Sequence, residues 1–320
     1  MKKLFTVMVI VMIILAPLCA KEFKPKKDVT WTCTSKPGGG SDIFSQAIRD
    51  AAKANVPELK KTNIVISYVT DGAGEVGRLN VANTAKAKAD YTLLTFNSGD
   101  LMPMVKNTAN RIQNFTPLAV MAVDKQLLFV SPSSSYKSFK DVIDAVKGGK
   151  SVVIAGSKGD DIETYQALIK ELGFTENQLK YIANDATSGA ITNLLGGHVD
   201  ICMSKPAAAS EYVKAGKMVP ILALSNIRYN TPELKDAPIL SELGYKDVEV
   251  PVWRGVVGPK AMSKDAAEFW VNVLTTVSKS KEWNEGYITK NGLLPQFMGG
   301  DEAKAYMTKY QEDYLKKIGK

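Results

Sequence analysis

The chain has 320 residues, 45% of them hydrophobic, with 24 Gly, 14 Pro, 3 Cys and one His. That composition excludes disordered and collagen-like classes and leaves a globular protein long enough for two domains. The formal charge of +8 is mostly lysine spread along the chain; the arginines are Arg49, Arg78, Arg111, Arg228 and Arg254, without a cluster or a basic run interleaved with aromatics. Bidentate recognition of nucleic acid is therefore not expected. With so few His and Cys, neither a metal site nor a cofactor is expected.

Lys2 and Lys3 precede an apolar run from Leu4 to Leu15, broken only by Thr6, and Ala16, Pro17, Leu18, Cys19 and Ala20 follow. A basic start, a short apolar core and a brief tail read as a secretory signal over 1–20, too short to span a membrane. A lipid anchor at Cys19 is the rival reading, weakened by Leu18 in the preceding position. Without Lys2 and Lys3 the +8 becomes +6. The remainder is expected to work outside the cytoplasm, periplasmic or tethered there by lipid. Cys33 and Cys202 lie in separate apolar stretches, expected to be buried thiols rather than one bridge.

Val29–Thr34 reads as a strand, and Pro37, Gly38, Gly39, Gly40, Ser41 and Asp42 then break it and open a helix carrying Ile43, Phe44, Ala47, Ile48 and Ala51 at helical spacing. The pattern repeats. Ile64–Val69 is a strand, Asp71–Gly77 a glycine turn and 78–86 a helix; Tyr91–Phe96 is a strand, and Asn97, Ser98, Gly99 and Asp100 lead into a short apolar segment. A second set follows Pro132: a helix over 138–146, a strand over 151–155, and a turn Gly156–Asp161 opening a helix that runs to Leu172. Leu179–Ala183 is the next strand, and Asp185, Thr187, Ser188 and Gly189 precede a helix ending at Gly196. Strands at Val199–Met203 and Val219–Leu224 flank a helix beginning after Pro206. Such alternation predicts an α/β protein with mostly parallel sheets flanked by helices.

Two segments, Leu118–Val123 and Val248–Val257, read as crossings between domains, with closing helices near 264–278 and 301–318. The expected division is a first lobe of 21–122 plus 248–320 and a second lobe of 123–247, joined by a hinge of two crossing segments.

In open parallel sheets, ligands bind beyond the carboxyl ends of the strands, where helix N-termini offer unpaired N–H groups and partial positive charge. Several glycine turns of this kind make a cleft lined with donors, suited to an anion. A side chain at Gly38, Gly39, Gly72 or Gly74 would hold a carboxylate away from the backbone. Gly72-Ala73-Gly74-Glu75-Val76-Gly77 also satisfies G-x-G-x-x-G, so a nicotinamide-dependent oxidoreductase is an alternative. It is disfavoured because Asp90 stands at the beginning of the next strand, where the ribose would require an acid at the end. Gly149-Lys150-Ser151 lacks the first Gly of a Walker loop, Ala155–Gly159 lacks the first Gly of a nucleophile elbow, and His198 between Gly197 and a strand reads as a turn residue. No enzymatic chemistry is expected.

Pro37-Gly38-Gly39-x-x-Asp42, Gly72-Ala73-Gly74-x-x-Gly77, Tyr91-Thr92-Leu93-Leu94 and Leu195-Gly196-Gly197-x-Val199-Asp200 occur in an order and spacing that resembles the extracytoplasmic solute receptors of tripartite tricarboxylate transporters, the Bug receptors, over essentially the whole mature chain. The resemblance implies a two-lobed periplasmic-binding-protein-like fold that clamps one carboxylate of a small organic acid between two turns of the first lobe, partly through water, and partners with membrane permease subunits. By motif match, Gly38, Gly39, Gly40, Ser41 and Asp42 belong to the first turn and Gly72, Ala73 and Gly74 to the second. Asp71 stands where the family often has Gly, Ala89-Asp90 replaces its usual Asp-Gly, and His198 replaces its common Gln.

Ser98 and Gly99 are candidates in the third turn. In the second lobe Ser157, Lys158, Asp160 and Asp161, with Thr187, Ser188 and Gly189, are candidates for the far end of the ligand. Helix capping is the alternative for the hydroxyls, a solvated surface role for Lys158, and ordering of its own turn for Asp200. Lys158 suits a second carboxylate, whereas Asp160 or Asp161 suits an amino group. Trp31 and Trp253 are expected in the core or on the cleft wall. A receptor for a sensor kinase is a further alternative that the residues do not separate from a permease receptor.

Overall fold

The computed structural model describes residues 23–320; the secretory signal and Cys19 lie outside the described residues. The alternation read from the sequence is present. Strand β1 (Val29–Cys33) leads into helix α1 (Gly40–Asn55), β2 (Ile64–Tyr68) into α2 (Glu75–Ala82) and α3 (Lys86–Ala89), and β3 (Thr92–Asn97) into α4 (Ser98–Asn107). The long β4 (Phe115–Asp124) is followed almost at once by β5 (Gln126–Val130), then α5 (Phe139–Lys147), β6 (Val152–Ser157), α6 (Asp160–Leu172), β7 (Leu179–Asn184), α7 (Thr187–Leu195), β8 (Ile201–Ser204), α8 (Pro206–Lys214) and β9 (Val219–Leu224). The chain closes with β10 (Val252–Pro259), α9 (Lys264–Lys279), a short α10 (Lys281–Trp283), β11 (Leu294–Gly299) and α11 (Gly300–Lys317).

Local chemistry explains the boundaries. Helix α1 buries Phe44, Ile48, Ala51 and Ala52 on one face and stops where Val56 turns extended before Pro57. Helix α5 starts with a capping box in which the Ser138 hydroxyl accepts from the Asp141 amide and Asp141 accepts from the Ser138 amide. The segment expected to be merely apolar after Asn97 is a helix despite Pro103, because Asn97 and Asp100 form a second capping box.

The strands form two sheets, in the orders β11-β4-β10-β3-β1-β2 and β7-β6-β8-β5-β9. The βαβ units pair in parallel: β1 with β2 and β3, and β6 with β7 and β8. Both sheets are mixed, because the strands next to the crossings run the other way. β10 is antiparallel to β3 and β4, and β5 to β8 and β9. The first sheet keeps the chain until Asp124 and regains it at Val252, where Val252 pairs with Asp124. The crossings therefore lie side by side, a few residues past 122 and 248.

Each sheet is covered on both faces. Trp31, Phe44, Ile48 and Trp270 pack on one side of the first, and Leu94, Phe96, Trp253 and Met307 on the other. Fully burying side chains of this size stabilises the fold by about 1.5–3 kcal/mol each. Trp31 and Trp253 are core residues, 1% and 0% exposed. Cys33 and Cys202 are buried and free, one in each lobe.

Candidate functional site

In the first sheet β1 sits between β2 and β3, so the connections leave β1 on opposite sides and open a crevice at its carboxyl end. In the second, β6 stands likewise between β7 and β8. The two crevices face each other across a small cavity of about 60 Å³, walled by Thr34, Ser35, Gly39, Gly40 and Ser41 after β1, Ala73 after β2, and Asn97, Gly99 and Asp100 after β3. The second lobe contributes Ser157, Lys158 and Asp160 after β6, Asp185, Ala186 and Thr187 after β7, and Lys205 after β8; Val252 and Arg254 come from the second crossing.

The first turn satisfies its Gly38 and Gly39 amides internally and leaves the next three without a partner. No side chain caps α1, and the amides of Gly40, Ser41 and Asp42 have no acceptor among the described residues, so the positive end of a 16-residue helix opens on the cavity. Asp42 is not on the cavity wall. Its carboxylate braces the turn by accepting from the Gly38 amide at 2.8 Å, Gln46 Nε2 at 2.8 Å and the Tyr68 hydroxyl at 2.7 Å.

The second turn is held in an unusual conformation. Gly72, Ala73 and Gly74 all have positive φ, and Ala73, at φ 59°, is the one non-glycine residue of that kind among the described residues. A left-handed alanine costs energy that its neighbours must supply. Arg78 supplies part of it, donating from Nη2 to the Ala73 carbonyl at 3.1 Å while pairing with Asp100 at 3.0 Å. Gly74 is required by packing, since a Cβ there would sit 2.7 Å from the Thr34 Cβ. Asp71 is exposed and caps nothing with its side chain; its carbonyl accepts from the Gly74 amide.

The second lobe holds a buried ionic cluster. Lys205, 4% exposed, donates to Asp160 at 2.7 Å, to Asp161, and to the Ser157 hydroxyl at 3.3 Å. Asp161 also accepts from the Ser157 amide at 2.8 Å, and Asp160 from Gln126 Nε2 at 3.1 Å. Burial opposes the charge on Lys205, but Asp160 and Asp161 outweigh it and hold its pKa above the ordinary lysine value. Burial raises the pKa of Asp161, with Lys205 opposing. At the cavity floor Arg254, 3% exposed, donates from Nε at 3.1 Å and from Nη2 at 2.5 Å to a single oxygen of Asp124. Burial raises Asp124, opposed by Arg254.

Contacts between the lobes rim the cavity. Lys36 pairs with Asp185 at 2.7 Å, Asp185 also accepts from Lys158 at 3.3 Å, and the Ser188 hydroxyl donates to the Pro37 carbonyl at 3.1 Å. A second set joins α6 to α11, where Glu163 accepts from the Tyr314 hydroxyl at 2.8 Å and from Lys317 at 3.1 Å. Between these, the turn after β3 abuts the start of α6. A Cβ on Gly159 would lie 2.5 Å from the Gly99 carbonyl oxygen, and one on Gly99 would lie 2.1 Å from Asp160 Oδ1.

Of the sequence candidates, Gly39, Gly40, Ser41, Ala73, Gly99, Ser157, Lys158, Asp160 and Thr187 stand together on the wall. Gly38, Gly72 and Gly74 shape the turns behind it. Ser98 is fully buried and not on the wall. Ser188 and Gly189 belong to a neighbouring recess with Lys36 and Pro37, and Asp200 accepts from the Val153 amide at 2.8 Å, tying its turn to β6. Sequence reasoning missed Lys205, Asn97, Asp185 and Arg254. Lys205 was within reach, since it ends a strand and precedes Pro206 at a helix start. Gly77 of the apparent dinucleotide motif packs on Val69 and Thr34, and the following strand ends in Asn97, not an acid.

A match to the family described as tripartite tricarboxylate transporter family receptor covers residues 48–318, and the chain belongs to that family. It is a receptor family, not an enzyme class. The UPF0065 protein in the TAR-I ttuE-ttuC' intergenic region of Agrobacterium vitis is 24% identical over 267 residues, 81% of this chain and 74% of that one. Among solved structures, the periplasmic binding protein BugD superposes with a TM-score of 0.79 at 20% identity, covering 92% of this chain and 98% of that one. MatC from Rhodopseudomonas palustris with bound malate gives 0.78 at 17%, with 92% and 98% covered. Another R. palustris protein, with adipate, gives 0.78 at 18%, with 92% and 96% covered. Identities this low carry the fold, which these structures share.

Proposed function

We propose that the protein is an extracytoplasmic solute-binding receptor that captures a small organic carboxylate between its lobes and delivers it to the membrane permease of a tripartite tricarboxylate-type transporter. The observation that carries the reading is the set of unsatisfied amides at the start of α1, opening with the left-handed Ala73 turn onto an interlobe cavity. Backbone donors on fixed elements select an anion without the side-chain entropy a lysine would lose. Malate and adipate in the structural neighbours favour the same ligand class. Ser157, Lys158, Asp160 and Thr187 form the far wall and set which acid fits. Ligand contacts to both walls favour the closed arrangement over the open one, and the crossing segments at 125 and 249–251 serve as the hinge. Among the described residues no helix is long and apolar enough to cross a membrane, which accords with a partner supplying the channel.

The test is a thermal-shift and calorimetric screen with malate, succinate, adipate, citrate, aspartate and glutamate, with a nicotinamide dinucleotide alongside. Binding of at least one acid at micromolar affinity, roughly 8 kcal/mol, is expected. Retention of the dinucleotide with no response to any acid would refute the receptor reading.

A further inference from the structure

We infer that Arg254 is the charged anchor of the ligand, taking one carboxylate on the free edge of its guanidinium beside the amides of α1; this deepens the receptor reading and rests on it. Arg254 lies on a strand that otherwise carries Val252, Trp253, Val256 and Val257 into the core, and it is itself only 3% exposed. A guanidinium in such a place normally spends its donors. Here Nε and Nη2 converge on Asp124 Oδ2 alone, and Nη1 has no acceptor among the described residues. Arg254 is one of the residues that wall the cavity.

Its position is tied to the first turn. A Cβ on Gly40 would lie 2.7 Å from Nη2 and 3.0 Å from Nη1, so the guanidinium lies directly against the first residue of α1 and glycine is needed there. A helix N-terminus and a fixed cation thus face the same small space. Asp124 offsets one charge, but it takes only the Nε and Nη2 donors and leaves Nη1. An anion in the shared cavity that reaches both Nη1 and the free α1 amides satisfies both sources at once, and a charge-assisted bond in a water-poor site is among the stronger polar contacts available.

The other buried cation on the cavity wall cannot play this part. Lys205 has three protons and three acceptors, Asp160, Asp161 and Ser157, all within the second lobe. The far wall therefore meets the ligand with hydroxyls, carboxylate oxygens and the partly exposed Lys158, which already pairs with Asp185, and Arg254 is left as the wall's buried cation with a donor to give. A neutral amide in place of the ligand's carboxylate would lose the charge-assisted bond and set an N–H donor against the site's own donors.

The experiment uses whichever acid of the panel the wild type binds, together with its fully amidated counterpart, titrated calorimetrically into wild type, R254K, R254Q and the double variant D124N/R254Q. The double variant keeps the Asp124 site neutral should R254Q alone fail to fold. The preference for the acid over its amide is expected to fall about 10- to 100-fold in R254Q and in the double variant, with R254K between them and wild type. A purely structural arginine would weaken acid and amide alike, so an acid-to-amide ratio within about twofold of wild type in a folded variant overturns the inference while leaving the receptor reading intact. A wild type that binds no acid in the panel overturns both.

Discussion

The contact between the turn after β3 and the start of α6 offers the sharpest test of closure, through Gly99→Ala. In the closed arrangement the added Cβ would meet Asp160 Oδ1 at 2.1 Å and Asn97 Oδ1 at 3.0 Å. The first distance is roughly 1.5 Å inside the optimal separation of nonbonded heavy atoms. Asp160 has little room to retreat, because Lys205 and Gln126 hold its other oxygen. Asn97 is in the same lobe as Gly99, so the decisive clash is with the opposite lobe and disappears when the cleft opens. Gly99 has no positive φ, so the substitution adds no backbone strain. Forcing one methyl into a packed contact costs typically 1–3 kcal/mol, which converts to a loss of ligand affinity of about 5- to 150-fold. The unliganded melting temperature should change little. Calorimetry and small-angle scattering with and without ligand measure both quantities, and Gly286→Ala, where a Cβ meets nothing within 4 Å, is the control. A Gly99→Ala protein that binds and compacts like wild type would show that these surfaces do not meet when the ligand is held.

Lys205→Met should cost about 3–5 kcal/mol of stability at neutral pH, because it strands Asp160 and Asp161 without their shared cation. Burial already raises the Asp161 pKa with Lys205 present. Without it the folded value rises further above the unfolded one, the folded state binds the extra proton, and the deficit shrinks as pH falls from 7.5 towards 5. Urea denaturation at the two pH values reads this; an equal deficit at both would contradict it. The thiols are expected to be inert. Burial pushes Cys33 up to about 11, against the opposing pull of Ser35, and pushes Cys202 higher still. Neither should react with a disulfide reagent at pH 8 until denaturant is added, and labelling of native Cys33 within minutes would show that its strand opens readily.

What could be read in the chain was whatever repeats locally. The strand and glycine-turn signals placed β1, β2, β3, β6, β7 and β9 within a residue or two, because a period of two followed by Gly and then a period of 3.6 needs no tertiary information. Strand β5 has no signal of its own beyond the crossing read at Leu118–Val123, since Leu118–Val130 is apolar except around Asp124 to Gln126, where the chain changes sheets. Strand β11 escaped because it is an edge strand with exposed Leu294, Pro295 and Gln296 and no alternation. Helix α4 was hidden by Gly99 and Pro103, breakers that its capping box outweighs. The site divides in the same way. Gly39, Gly40, Ser41 and Ala73 were legible as turn chemistry, but which turns converge follows from strand order, and that no local signal carries. Arg254 shows the limit: within an apolar run it reads as an interruption, and its meaning depends on Gly40 lying more than two hundred positions away.

The ties at the two rims have a consequence for the empty receptor. Lys36 with Asp185, and Lys317 with Glu163, join the lobes through partly solvated charges that involve no guest. Bonds of that sort are individually weak and fade with added salt. The vacant protein therefore has a built-in tendency to shut, set by the ionic strength of its surroundings. In dilute media it spends more of its time closed, so a closed shape does not by itself report a bound guest.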